Sequence, residues 1–461
     1  MLHRRHFLQQ TALEAALVSL LSTTAWAEEP EVSLELSTFR VDVSPPHGHP
    51  LCGGWIQPVV GQDDPQQAIG LVLRGAGQPL VICSVDWTGL LNEAHVAWRT
   101  QLAAAVGTSP DRVAVQCVHQ HNAPFVCLEA QRLCAAQADL GDAVVDTKFF
   151  EQTLRRVASA AGASCERARP CTHVAFHQAK VDRIASNRRF LGPEGKVQDW
   201  RGSSSKEPRH KELPEGLIDP FLKTVAFYDH DRPIAACHYY ATHPMSYYGD
   251  GRVSSDFVGI ARDRLQAADD ECLQLYFTGC AGNIAPGKYN DGTPEARREL
   301  TDRLHDALQR SMAGLKPQPI RQVSWQTQAI QPPPRASLVA EALEAAIANR
   351  DHSRANRIRP AMMLAWLRRC QRQEPIILSA LHVNSATLLH LPAETFVEYQ
   401  LRAQTLAPER FVATAAYGDG GPWYIPTSEC YPQGGYEVDV AFCEPTLDRQ
   451  MSDGFGRLLG S

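Results

Sequence analysis

PLVICSV at residues 79–85 and RVAVQCV at residues 112–118 decide the fold class. Both are short apolar runs of strand length, rich in β-branched residues, and segment 90–106 between them carries apolar residues at helical spacing. Strand, helix and strand in that order make a βαβ unit, which closes a parallel pair through a right-handed crossover. The alternation continues along the chain. Strands are expected at 173–181, 224–228, 233–240, 272–277, 375–383 and 386–391. Helices are expected at 149–161, 257–267, 294–312, 338–349, 354–372 and 395–405. The reading is an α/β fold, a mixed multi-layer sheet domain with flanking helices, in which ligand sites collect at the C-terminal ends of strands. Segment 192–216 is polar and rich in Gly, Pro and Ser, so it reads as an exposed lid or binding loop. Gln331-Pro332-Pro333-Pro334 is a stiff break. No internal repeat or low-complexity linker divides the chain, so residues 28–461 are expected to form one domain.

Composition bounds the function. The 461 residues are 44 % hydrophobic and 21 % charged with a net charge of −6, a soluble globular profile that argues against nucleic acid as the main partner. Beyond the N-terminus no apolar run reaches the roughly 18 residues a membrane-spanning helix needs. Arg4-Arg5-His6-Phe7-Leu8 resembles a twin-arginine export motif, and Ala25-Trp26-Ala27 fits a small-x-small cleavage site. Residues 1–27 are therefore expected to be a signal peptide that sends the mature chain to the periplasm or beyond. Thirteen cysteines are an odd count, and none falls in a CxxC pair, which argues against a cysteine zinc cluster. Buried reduced thiols are expected, with one or two disulfides left open.

Several short motifs carry potential chemistry, and each has a plain structural reading beside it. Cys117-Val118-His119-Gln120-His121-Asn122 follows a buried strand. In extended chain His119 and His121 face the same side and can reach one metal, or one can ligate while the other moves a proton. Two structural histidines would look the same. His243-Pro244 follows the strand at 233–240, with proline holding the local chain extended. Cys280 to Gly287, a turn of small residues, marks a close backbone approach or only a Gly-Pro turn. Glu394 in Leu391-Pro392-Ala393-Glu394 either caps a helix or presents a carboxylate. Tyr424 and Tyr436 in the glycine-rich C-terminal stretch line a site or merely pack.

Taken in order, these segments resemble the neutral/alkaline ceramidases. That family's HTHSGPGG stands where this chain has His119-Gln120-His121-Asn122-Ala123-Pro124. Its His-Pro-x-Ser segment matches His243-Pro244-Met245-Ser246, followed by Val253-Ser254-Ser255-Asp256. Its NxGDVSPN is matched loosely by Cys280 to Gly287, and its PGEFTT by Pro392-Ala393-Glu394-Thr395-Phe396. Its tyrosine-rich YxTTxEEYxxQxYE matches the stretch from Tyr424 to Glu437, with the tyrosine spacing intact. Arg40-Val41-Asp42-Val43-Ser44-Pro45 resembles the family's opening strand, and Asp86 stands where the family has an aspartate.

The resemblance spans nearly the whole mature chain and implies a zinc ion held by His119, His243, Glu394 and Tyr424. It further implies His121 as the group that holds or moves a proton and Tyr436 as donor to the oxyanion or substrate. Asp86 or Asp256 would orient a ligand histidine. The implied reaction is zinc-dependent hydrolysis of the amide bond of an N-acyl compound, small molecule or lipid. A zinc esterase or carbohydrate-active hydrolase on the same scaffold, or a non-catalytic binding protein, are the alternatives. Three departures matter. Ala285 and Asn283 replace the serine and aspartate of the NxGDVSPN segment, which removes a serine nucleophile there. Asn187-Arg188-Arg189 replaces the substrate segment NRSP, and two arginines there would suit an anionic group. The family's C-terminal β-sandwich domain is not expected in a chain ending at Ser461.

Overall fold

Strands Gly77–Val85 and Val113–Cys117 pair in parallel, with Val81 opposite Val113 and Val85 opposite Cys117. Helix Glu93–Val106 lies between them in the chain. This computed structural model describes residues 33–460, so the expected export signal at 1–27 lies outside the described residues. Around the βαβ unit the first sheet is otherwise antiparallel, in the order Val113–Cys117, Gly77–Val85, Gln67–Gly75, Glu35–Asp42 and Arg169–Pro170.

Two further sheets repeat the design. The second runs Leu273–Thr278, Arg232–Tyr240, Phe221–Asp229, His173–Lys180 and Gln318–Pro319. The third runs Val323–Ile330, Ile376–Val383, Ala386–His390 and Phe411–Ala415. Each sheet has one parallel pair at one edge, with Cys237 beside Leu275 in the second and Leu388 beside Ala413 in the third. The three sheets back onto a shared apolar core that includes Leu71 and Ile82, Phe227 and Leu275, and Leu381 and Leu388. Their other faces are covered by helices. Thr147–Ser164 packs on the first sheet, Pro294–Ala313 on the second and Leu447–Leu459 on the third. The result is the expected mixed α/β architecture with flanking helices.

Local chemistry explains the helix starts. Asp146 accepts hydrogen bonds from the Lys148 and Phe149 amides, and Thr293 caps Pro294–Ala313 through the Ala296 amide with proline at the first turn. Segment 192–216 is largely exposed, as expected, but it is not irregular throughout, because Val197–Trp200 pairs with Arg189–Leu191 as a hairpin. Arg201 is fully buried and donates to the carbonyls of His210 and Asn187. Most polar residues there face solvent, while Ser205 and His210 are buried and bonded to each other. All thirteen cysteines are free thiols, eleven of them buried.

Three of the buried histidines lie within or against the sheets and contribute to the response to acid. Burial pushes the pKa of His95 and His238 down to about 4 and that of His390 to about 3, from an ordinary 6.5. Above pH 6.5 these groups are neutral in both folded and unfolded chains. As pH falls toward 4 the unfolded chain takes up protons that the folded one refuses, so stability is lost across that window. Denaturant titrations should show the unfolding free energy dropping by on the order of a few kcal/mol between pH 6.5 and about 5. A flat profile would show that the buried imidazoles are accommodated as cations.

Candidate metal centre

Three loops leave the C-terminal ends of the parallel strands, one from each sheet, and meet. Val118 and His119 follow the first sheet, His243 follows Tyr240 of the second, and Glu394 follows His390 of the third. Backbone bonds stitch these ends together. The Thr278 hydroxyl donates to the Val118 carbonyl at 2.7 Å, the Ala416 amide to Thr278 at 2.9 Å, and the Cys117 amide to Tyr417 at 2.8 Å. Residues far apart in sequence are thereby fixed within one small volume.

Within it, His119 Nε2 lies 3.2 Å and His243 Nε2 3.1 Å from the same oxygen, Oε2 of Glu394. The other ring nitrogens are already committed. His119 Nδ1 donates to the Thr88 carbonyl at 2.6 Å, and His243 Nδ1 to the carbonyls of Ala281 and Ile284 at 2.7 and 3.0 Å. That fixes the tautomer and leaves Nε2 of each ring with a lone pair. All three atoms are buried and none has a hydrogen-bond partner. Both nitrogens lie within reach of that oxygen, yet no well-formed hydrogen bond joins them. Three converging acceptors repel unless a cation lies between them, so these residues can hold a metal ion.

His121 completes the cluster. The ligating atoms of His119, His121 and His243 lie within 4.8 Å of one another, and the His121 ring is 4.8 Å from that of His119. Its Nδ1 is buried and unpartnered. Burial, then the neighbouring His119 and His243, push its pKa well below the ordinary value. Tyr424 pairs its backbone with Glu394 in a two-residue parallel bridge, and its hydroxyl accepts from Arg188 at 3.3 Å. Tyr436 packs edge-on against Tyr424, with ring centres 5.8 Å apart.

The local backbone is unusual here. His119 has φ of 79°, so the chain is not extended through the His-x-His segment. The two histidines meet through a left-handed turn and not through strand alternation. Among the described residues eleven non-glycine positions have positive φ. Cys52, His119 and Trp423 on the cavity wall and Ala393 and Tyr417 behind it are five of them. Such conformations cost about 1–3 kcal/mol each and gather where a site demands them. The small-residue turn serves the same end. A side chain on Gly282 would stand 2.4 Å from the Glu394 carbonyl oxygen, so only glycine lets the turn place its carbonyls against His243.

The carboxylates expected to orient the histidines do not reach them. Asp86 is fully buried, forks onto Arg262 at 2.8 and 2.9 Å and accepts from Gln120 at 3.0 Å. Asp256 accepts from the Ser246 and Phe257 amides. Both brace the loops that carry the histidines, while backbone carbonyls orient the rings. The segment expected to bind substrate is also otherwise engaged. The Asn187 side chain bonds the Leu217 carbonyl and the Arg189 amide. Arg188 and Arg189 share the buried Glu437, at 3.3 and 3.2 Å, and Arg188 stacks on Trp200. None of the three lines the cavity.

That cavity, about 150 Å³, opens onto His119, His121, Glu394, Tyr424 and Tyr436. Its remaining wall includes Trp55, Phe125, Trp423, Tyr248 and Arg359, none of which the sequence reading singled out for a role. The tryptophan beside Cys52-Gly53-Gly54 was a signal available for the first of these. A larger hollow of about 360 Å³ between Arg183, Lys288 and Glu299 holds none of the site's chemistry.

Solved structures share this fold. A neutral ceramidase from Pseudomonas aeruginosa superposes with a TM-score of 0.67 at 15 % identity, covering 93 % of this chain and 74 % of that one. The fold is neutral ceramidase-like. A ceramidase complexed with C2 matches with a TM-score of 0.66 at 14 % identity, over 93 % of this chain and 75 % of that one. No family model and no curated protein matches the sequence. At this identity the likeness to neutral ceramidases is one of fold. The metal centre rests on the geometry above.

Proposed function

We propose that this protein is a zinc-dependent hydrolase that cleaves the amide bond of N-acyl compounds. The observation that carries the reading is the convergence of His119 Nε2, His243 Nε2 and Glu394 Oε2 on one point without a donor among them, in a ceramidase-like fold. Imidazole nitrogens with a carboxylate suit zinc better than calcium. Tyr424 is the fourth ligand in this reading, its hydroxyl held in place by the hydrogen bond from Arg188. Zinc there would acidify water and polarise a carbonyl.

The chain's own groups do the rest. His121 faces the cavity with a free, buried Nδ1 and takes the proton of the attacking water. It then returns the proton to the departing nitrogen. The Tyr436 hydroxyl donates to the carbonyl oxygen as negative charge grows on it. The aromatic wall of Trp55, Phe125 and Trp423 excludes water around the acyl group. The purified protein should contain about one zinc per chain and hydrolyse short-chain N-acyl amines. A chelator should abolish turnover and zinc restore it. Protein without metal, or metal-loaded protein that cleaves esters or glycosides but no amide, would refute the proposal.

A further inference from the structure

Five arginines lie on helix Arg354–Gln371, and four have partners. Arg354 donates to the Asp142 carbonyl, Arg357 forks onto Asp139, Arg368 meets Glu344 and Arg369 meets Asp419. Arg359 pairs with no acid among the described residues, and its Nε is buried without an acceptor. It belongs to the wall of the cavity that holds His121, Glu394 and Tyr436. Its guanidinium sits 5.5 Å from the centre of the Trp423 ring, a cation–π contact that steadies it over the opening. A group carried on a helix and braced by an aromatic face is held more firmly than one on a loop.

The electrostatic balance of the cavity gives this arginine meaning. Among the described residues the only acid on its wall is Glu394, which is committed to His119 and His243. With a divalent ion at the centre the cavity carries net positive charge. A half-buried guanidinium without a counter-charge is poorly solvated, and an arriving anion offsets that loss. The available volume, about 150 Å³, is close to one that holds a benzene-sized group. It suits a small substrate better than a long acyl chain.

We infer that Arg359 receives a carboxylate of the substrate, which makes the substrate a short-chain N-acyl amino acid rather than a neutral lipid amide. This rests on the amidase reading of the same site. The planar guanidinium can bind a carboxylate through two parallel hydrogen bonds, which fixes orientation as well as charge. In the reaction the water oxygen joins the acyl carbon, the C–N bond breaks and the proton passes to the nitrogen. A carboxylic acid and a free amino acid leave.

The test compares short-chain N-acylglycines with the matching N-acylethanolamines, which replace the carboxylate by a neutral hydroxyl. Zinc-loaded wild type, Arg359→Lys and Arg359→Gln are assayed, with metal content checked in each. Wild type should prefer the acylglycines. Arg359→Gln should lose about tenfold to a hundredfold more kcat/KM on acylglycines than on acylethanolamines, chiefly through KM, with Arg359→Lys between. Equal losses on both series, or a wild type that prefers the ethanolamines, would overturn the inference. Calorimetric binding of N-butylsulfonylglycine, which has no cleavable amide, gives a readout independent of turnover. Binding to wild type but not to Arg359→Gln supports the anion site even if no amide is cleaved, in which case the amidase reading alone falls. No binding to wild type while amides are hydrolysed overturns the anion site alone.

Discussion

His243→Ala is expected to release the metal and drop amide hydrolysis by more than about a hundredfold. Loss of a group that merely orients a ligand typically costs 10- to 100-fold in metal affinity or activity, and His243 is assigned the stronger role of direct ligand. Its Nδ1 is clamped by the carbonyls of Ala281 and Ile284, which holds its Nε2 beside Glu394. His119→Ala should behave alike. His121→Ala should separate from both, keeping its zinc while losing roughly 10²–10⁴ in rate, the range expected for removing a general base. Metal analysis beside kinetics distinguishes the cases. Full metal occupancy in both His119→Ala and His243→Ala would place the ion elsewhere.

Arg262→Leu is expected to be the most destabilising single change away from the centre, at about 3–5 kcal/mol. Asp86 is completely buried and Arg262 nearly so, and the two exchange a pair of hydrogen bonds. Removing the arginine leaves a carboxylate in an apolar interior with only Gln120 and the Gln67 amide as donors. The double variant Asp86→Asn with Arg262→Leu should recover much of the loss, because the uncompensated charge goes with the partner. Since Gln120 lies between the two histidines, the single variant should also bind zinc more weakly. Denaturant unfolding of the three proteins measures this, and an Arg262→Leu chain as stable as wild type would show the pair to be dispensable.

Much of the fold was legible where chemistry repeats along the chain. The Gly77–Val85 and Val113–Cys117 pair showed itself by length and apolar content, and the helices by periodicity. Gln67–Gly75 did not, although it is central to the first sheet, because a strand covered on both faces has no alternation to read. At the site, His119, His121, His243, Glu394, Tyr424 and Tyr436 were named from the sequence and stand around one cavity or its rim. What orients them was hidden. The family resemblance points to Asp86 and Asp256, whereas the acceptors are carbonyls of Thr88, Ala281 and Ile284, which every residue possesses. Arg188 and Arg189 looked free for the same kind of reason, since their partner Glu437 is remote in sequence. Arg359 belongs to no motif and is one of five arginines on its helix, so nothing in the sequence sets it apart.

The meeting of three strand ends from three sheets also dictates when the site can form. His119, His243 and Glu394 come together only after the sheets have docked, since the bonds joining Val118, Thr278 and Ala416 are themselves contacts between sheets. Such non-local contacts make for slow folding, and in the unfolded chain the ligands are too widely spaced to chelate an ion with any strength. The ion therefore cannot act as a nucleus. An ion held there would bind a finished protein, and nearly all of its binding energy would count toward the native state, about 4 kcal/mol at a thousandfold excess over its dissociation constant. In the proposed reading a metal ion would act as a latch on completed folding rather than a guide to it, and a chain with one sheet misdocked would lack the site.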